Sequence, residues 1–359
     1  MDIIERRLHN LRTQFNAWDV EALLITGPTN RRWLSGFTGS SGKLIITNDR
    51  AILATDSRYW QQAATEAVNF ELFQDRRRHE DTISLLQSVD VRKIGIEANH
   101  VTIADHAKLN SIADIIWVPL QKPIEPLRQI KTAGEIEKIR AAALITDQAM
   151  DMVPQFLQPG ITERALAWQL EKTMREQGAN ATAFPIIVAF GPNSALPHYQ
   201  PGEHELKKEE IVLVDIGAEV DGYKSDMTRT FFFGSKIPDQ FSSIYNLVHA
   251  ALKAAADNIG PDINTQQAHN FALEPISNAG YRKNFQHGLG HGVGLDIHEE
   301  PFLSAYRPVT DIIAGTIITI EPGIYLPGWG GVRIEDLVLV TETGIETISQ
   351  SPKVPQICP

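Results

Sequence analysis

The sequence predicts an α/β (α+β) fold in two parts: a mixed sheet flanked by helices, then a larger unit in which a helix pair followed by strands occurs twice. Three observations lead there. Helical and extended patterns alternate before residue 118. The stretch VPLQKPIEPLRQIKT at 118–132 then carries three prolines and no periodicity, which marks a linker. Beyond it, amphipathic helices come in pairs, each pair followed by apolar runs of strand length. The domains expected are 1–125 and 126–359.

Ile3, Ile4, Leu8, Leu11 and Phe15 recur at helical spacing, and EALLITG at 21–27 reads as a short buried strand stopped by Gly27. Strands follow at KLIITN and AILAT, helices around 59–68 and 81–86, a strand at KIGIE and a helix from near Ile103. The segment SGFTGSSG at 35–42 is rich in turn residues and is either a plain connection or a loop that faces substrate. From Thr132, GEIEKIRAAALITDQAMDMVPQFL is helical as far as Gly160, and Thr162 caps a second helix that Gly178 closes. Strands are expected at PIIVAF, IVLVDIG and RTFFF. A second helix pair occupies about 239–258 and 263–279, with strands around 285–297, 316–321 and 332–341. No sequence identity links the halves, so their shared plan rests on element order.

A chain of 359 residues with 43% hydrophobic content can build packed cores in two domains. A formal net charge of −11 argues against a broad grip on nucleic acid or on an anionic membrane, and suits a site that gathers cations. Cys358 is the single cysteine, which leaves no disulfide framework and no thiolate cluster. The N-terminus is charged throughout and no apolar run approaches the roughly 18 residues of a membrane span, so a cytoplasmic protein is expected.

The least ordinary segment is HGLGHGVGLDIHEEP, at 287–301, with three histidines and four glycines. Its glycines alternate with larger residues, so an extended backbone would carry His287, Leu289, His291 and Val293 on one face and nothing on the other. A bare face permits close approach by another backbone or a ligand. The glycines match neither a dinucleotide fingerprint nor a P-loop. The imidazoles carry the chemical signal.

Carboxylates supply partners. In IVLVDIGAEVDGYKSDMTRTFF the pair Asp221-Gly222 favours a tight hairpin turn. A turn centred there sets Asp215 opposite Thr228 and Asp226 opposite Gly217, with both aspartates on one face and their Cα atoms about 7–8 Å apart. That is close enough to share one or two cations. In TIITIEPGIYLPGWGGVRIEDLVLV, Glu321 ends one apolar strand and Glu335 lies inside another. Burying either unpaired would cost several kcal/mol or force protonation. Cations would relieve this, as would an ion pair with Arg333; the irregular loop YLPGWGG gives no register. Asp215, Asp226, His291, Glu321 and Glu335 together make a hard donor set without sulfur. Two divalent cations would balance its four carboxylates, with Mn²⁺ or Co²⁺ favoured and Zn²⁺ or Fe²⁺ admissible. A water shared between them would be ready to attack a carbonyl.

The motifs VDIGAEVDGYKSDMTRTFF, HGLGHGVGLDIHEEP, TIEPGIY and GVRIED, in this order, resemble the metal-binding motifs of the creatinase/aminopeptidase P/prolidase family of pita-bread metallopeptidases. The likeness covers the chain from about residue 130, and the part before it, with SGFTGSSG and TDSRYW, looks like the creatinase-like N-terminal domain of Xaa-Pro peptidases. The resemblance implies a pita-bread catalytic domain of internal pseudo-two-fold plan. It implies Asp215, Asp226, His291, Glu321 and Glu335 as ligands of two divalent metal ions, with Asp226 and Glu335 bridging. It makes Glu321 the group that moves a proton from water to the leaving nitrogen, and His198 and His298 the histidines that hold substrate and stabilise the oxyanion. Arg333 is expected to orient a ligand or substrate, and His287 is left between a structural and a functional role.

The expected reaction is Xaa-Pro aminopeptidase hydrolysis of peptides with proline in second position. Proline has no N–H, so the site must recognise its ring; Phe184, Tyr199 and Trp329 are candidates to line it. The alternatives are an Xaa-Pro dipeptidase (prolidase) and, less in keeping with a complete ligand set, a non-enzymatic pita-bread binding protein. The resemblance also implies a homodimer or larger homo-oligomer.

Overall fold

In the computed structural model, which describes residues 2–76, 78–112 and 114–358, the chain divides after Arg128 into two units. The first is built on a six-stranded sheet among the described residues, in the order Glu71–Gln74, Ala51–Thr55, Lys43–Thr47, Ala22–Ile25, Lys93–Glu97, Ile116–Leu120. Pairing is antiparallel across the two junctions that join Ala22–Ile25, Lys43–Thr47 and Ala51–Thr55, and parallel elsewhere. The expected mixed sheet is therefore present. Two of its strands were not expected. Glu71–Gln74 is half-exposed and lacks an apolar signature. Ile116–Leu120 runs into the start of the stretch assigned to the linker; it is an edge strand, which is where Pro119 can be tolerated without losing a central ladder bond. The segment 35–42 is a held loop: the buried Arg31 guanidinium donates to the carbonyls of Gly39 and Gly42 at 2.7 Å each.

The second unit has two helix pairs. Thr132 caps Ala133–Asp151 through a capping box, and Thr162 caps Glu163–Glu176. The first of these helices does not run unbroken to Gly160: it stops at Asp151 and a short turn Val153–Phe156 follows, because Pro154 cannot donate into a continuing helix. Asp239–Asn258 and Thr265–Asn278 form the second pair. Each pair covers its own core. Ile145, Leu166, Leu170, Val212, Val214, Phe231 and Phe233 belong to one, and Val248, Leu252, Ala268, Ile276, Ile318, Ile320 and Val338 to the other. The strand Met227–Phe233 serves both, with Phe231 and Phe233 facing one core and Phe232 the other, which explains its unbroken apolar run. The two halves thus follow one plan.

Two long hairpins organise this unit. In the first, residue numbers across the ladder sum to 443 both in Glu210–Ile216 against Met227–Phe233 and in Ala218–Val220 against Tyr223–Lys224. The turn is at Asp221-Gly222, and Asp215 faces Thr228. In the second, Ile317–Ile320 pairs with Asp336–Thr341 and Gly323–Leu326 with Gly330–Arg333, and the numbers in both ladders sum to 656. What reads as one strand at 332–341 is therefore two, in different sheets. Both hairpins pass from one sheet to another, and the acidic residues sit at or beside the passage.

The glycine-alternating stretch is not one strand over 285–297. Only Gly290–Gly292 is in a sheet, with a register shift after His291, and a separate strand Glu299–Leu303 follows. The bare face is nevertheless used. A Cβ on Gly290 would overlap the Thr319 carbonyl oxygen, and one on Gly292 the carbonyl oxygens of Glu300 and Glu299. Because the obstacles are backbone, Gly290→Ala is expected to destabilise the unit by about 1–3 kcal/mol, read as a shift in urea midpoint at constant slope.

Candidate metal centre

Among the described residues, the hairpins bring acidic residues to the wall of a cavity of about 610 Å³. Asp215 and Asp226 come from the first hairpin, Glu321 and Glu335 from the second, and His291 from the strand Gly290–Gly292. Single ligand atoms of Asp226, His291 and Glu335 all lie within 4.8 Å of one another. His291 Nε2 is 3.7 Å from Asp226 Oδ2 and 3.4 Å from Glu321 Oε1. Asp215 presents one oxygen to Arg333 Nη2 at 2.6 Å, while its Oδ1 is buried with no hydrogen-bond partner. His198 and His298 both line the cavity, and the His298 ring lies 4.3 Å from that of His291, edge to face.

The hairpins lock together where the ligands sit. Thr228 Oγ1 donates to Glu335 Oε2 at 2.7 Å and accepts from Arg333 Nε at 3.0 Å, and the Glu335 N–H donates to the Thr228 carbonyl at 3.1 Å. Arg333 Nη1 donates to the Tyr325 hydroxyl at 2.8 Å, and that hydroxyl meets His287 Nε2 at 2.9 Å. His287 therefore belongs to a chain of contacts running through Tyr325 and Arg333 to Asp215, and it also lines the cavity. Burial pushes the Tyr325 phenol up to about 12, so it stays a hydroxyl between guanidinium and imidazole.

Electrostatics show what the cluster lacks. Burial, then the charge of Glu335, Asp215 and Glu321, holds the Asp226 carboxyl well above the usual carboxylate range. Glu335 is raised likewise, by burial and then by Glu321 and Asp215. Burial pushes Glu321 up to about 8, although Arg333 pulls it the other way. His291 is driven down to about 3, mainly by burial and next by His298. A neutral His291 faces the Gly292 carbonyl with Nδ1 at 3.1 Å, so Nδ1 carries the proton and Nε2 turns a lone pair towards the carboxylates. One nitrogen lone pair and several carboxyl oxygens thus converge, and crowding makes the carboxyls hold protons that a cation would displace. Together with the orphaned Asp215 Oδ1, this fits divalent cations, and the sulfur-free donor set fits hard or borderline ones.

The rest of the cavity wall is mostly apolar: Phe184, Pro185, Ile186, Ile187, Pro197, Tyr199, Ile297 and Phe302. Trp329, expected to line a proline site, does not. It sits in the turn of the second hairpin, between Leu326 and Gly330, and packs against the core under the second helix pair. Sequence reasoning missed Arg307, a cavity residue whose guanidinium lies 4.9 Å above the Phe302 ring. It also missed the ion pair of Lys131 with Glu299 at 2.6 Å, both buried, directly after His298. No pattern within either segment announces a partner so far along the chain.

Sequence profiles match in the same places. The creatinase/prolidase N-terminal domain matches residues 7–130, and metallopeptidase family M24 matches residues 137–342. An uncharacterized peptidase of Bacillus subtilis (strain 168) is 38% identical over 349 residues, covering 97% of this chain and 98% of the relative. Among solved structures, an Xaa-Pro dipeptidase from Bacillus anthracis superposes with a TM-score of 0.96 at 36% identity, covering 99% of each chain. An X-Pro aminopeptidase from Thermotoga maritima MSB8 superposes with a TM-score of 0.88 at 30% identity, covering 96% of this chain and 99% of that one. The chain belongs to metallopeptidase family M24, a peptide-bond hydrolase with a creatinase/prolidase N-terminal domain ahead of its catalytic unit.

Proposed function

We propose that the chain is a dimetal-dependent Xaa-Pro aminopeptidase that cleaves the bond between an N-terminal residue and a following proline. One observation carries the reading: the buried carboxylate–imidazole cluster lines a cavity otherwise walled largely by rings and aliphatic side chains. Proline specificity is supported by the Bacillus anthracis and Thermotoga maritima relatives. In this reading Asp215, Asp226, His291, Glu321 and Glu335 would hold two divalent cations, with Mn²⁺ preferred and Co²⁺, Zn²⁺ or Fe²⁺ tolerated. The cations supply, when bound, Lewis acidity that polarises the scissile carbonyl and acidifies water. Glu321 takes the proton of the attacking water and hands it to the proline nitrogen, which needs one to leave. His198 and His298 donate to the carbonyl oxygen as its charge grows. Arg333, held by Tyr325, fixes the orientation of Asp215.

The same reading keeps the domain boundary at 125/126, just ahead of the division after Arg128. It includes a homodimer or larger assembly in the cytoplasm, the former checked by light scattering. Among the described residues no helix is long and apolar enough to cross a membrane.

A second reading, Xaa-Pro dipeptidase, is favoured by Arg307: it lines the cavity and is a cation that could pair with a free proline carboxylate. The Bacillus anthracis structure supports it too. Assays of Ala-Pro and Ala-Pro-Ala on one metal-loaded preparation decide. Turnover of the dipeptide alone sinks the aminopeptidase reading. If Arg307 pairs with a carboxylate, Arg307→Met raises KM for Ala-Pro by about 10–100-fold, the worth of a hydrogen bond to a charged group.

A further inference from the structure

Glu163 opens the helix Glu163–Glu176, and its side chain is 0% exposed. A carboxylate so placed is costly unless donors meet its lone pairs. Four do, all from one stretch of chain. Oε1 accepts from the Phe190 N–H at 2.8 Å and the Asn193 amide at 2.9 Å; Oε2 accepts from the Tyr199 hydroxyl at 2.8 Å and the Gly202 N–H at 3.0 Å. The Asn193 amide also donates to Tyr199 Oη at 2.9 Å. Burial and then Glu163 push the Tyr199 phenol up to about 12, so it remains a donor.

The loop that Glu163 clamps brings Pro197, His198, Tyr199, Gln200 and Pro201 to the cavity wall. Its other edge is tied to the second hairpin. The Gly331 N–H donates to Ser194 Oγ at 2.8 Å, and Arg333 Nη1 reaches the Pro197 carbonyl at 3.4 Å. Loops lose entropy when ordered, and a loop ordered only by substrate charges that loss to binding. A single buried carboxylate that grips both ends of the loop and two points within it removes the loss beforehand. None of its four partners is a proposed cation ligand, so the effect falls on substrate and not on metal.

We propose that Glu163 is a positioning residue for the peptide: it presets loop 190–202 so that His198 and Tyr199 already stand at the cavity wall when substrate arrives. This rests on reading the cavity as a peptide site. Glu163→Gln keeps the size of the side chain but sets an NH₂ group where two donors converge, and it opens one side of the clamp. The expected result is a KM for Ala-Pro-Ala raised about tenfold or more, with kcat changed by less than about threefold. The midpoint of Mn²⁺ titration stays where it is. Amide exchange quickens in 190–202 and not in Ile317–Ile320. Asn193→Ala and Tyr199→Phe each remove one donor while leaving the carboxylate, and they move KM in the same direction by less, which keeps the test open should Glu163→Gln fold poorly. Unchanged KM in all three overturns the proposal, as does an equal loss of Mn²⁺ binding and of exchange protection across the whole unit. Failure of the peptidase reading is seen separately, in wild-type protein that turns over no Xaa-Pro peptide; unaltered exchange in 190–202 of Glu163→Gln overturns the proposal whatever the substrate.

Discussion

Glu335→Ala is expected to remove bound metal and to lower kcat/KM for Ala-Pro-Ala by at least about 10³-fold, the consequence of losing several kcal/mol of Lewis-acid stabilisation. The carboxylate stands within 4.8 Å of ligand atoms of Asp226 and His291, and its Oε2 is aimed by Thr228. Its loss leaves Asp226 and His291 without the third ligand atom of their cluster. Asp226→Ala is expected to behave alike. Both substitutions have an opposite effect on the metal-free fold: each deletes a carboxyl that burial and like charge hold above its ordinary range, so the metal-free variants melt no lower than metal-free wild type at pH 8. Activity down and metal-free stability held is a pattern that general misfolding does not give. Full hydrolysis with full metal content in either variant refutes the assignment.

The difference between the two hairpins shows where sequence reasoning reaches. Asp221-Gly222 has one favoured turn, and from it the pairing of Asp215 with Thr228 follows by counting. The second hairpin turns within the irregular PGWGG, with Gly328 and Gly330 both at positive φ, and no two-residue rule fixes its centre. Its register becomes visible only when the two ladders are seen to share one count, which sets Glu321 across from Glu335. The alternating glycines were legible as room for backbone, since Thr319 and Glu300 fill that room. The extent of the strand was not, because glycine contributes no side chain to hold a ladder. Pro119 hid an edge strand for a similar reason: the rule that bars proline from sheets relaxes at their edges. Tyr325 and Glu163 were illegible because a hydroxyl in an apolar strand and a glutamate in a helical first turn both have ordinary local explanations. Their partners lie on other elements.

Stripping the cations with a chelator is expected to lower the melting temperature, by an amount that grows as pH rises from about 6.5 to about 8. The sign follows from which state holds more protons. Asp226, Glu335 and Glu321 have folded-state affinities for protons above those of the unfolded chain, Glu321 titrating near about 8. A group raised in this way contributes its stability below the unfolded value and loses it as pH climbs through the folded one. Each carboxyl that stays protonated in the metal-free fold therefore costs up to about 1.4 kcal/mol per pH unit. His291 and His287, driven down to about 3, act in the opposite sense, since the unfolded imidazoles gain protons on acidification and the folded ones do not. That loss is confined below the unfolded histidine value of about 6.5. Above it both states hold neutral imidazole, and the carboxyls alone set the slope. Cations bound to the cluster compensate the carboxylate charges, so the metal-loaded protein keeps a flat profile across the window while binding adds stability by mass action. Differential scanning calorimetry of both forms from pH 6.5 to 8 measures the gap. Parallel profiles would mean that Asp226, Glu321 and Glu335 are already compensated without metal, and that the ligand atoms converging there with His291 do not form a cation site.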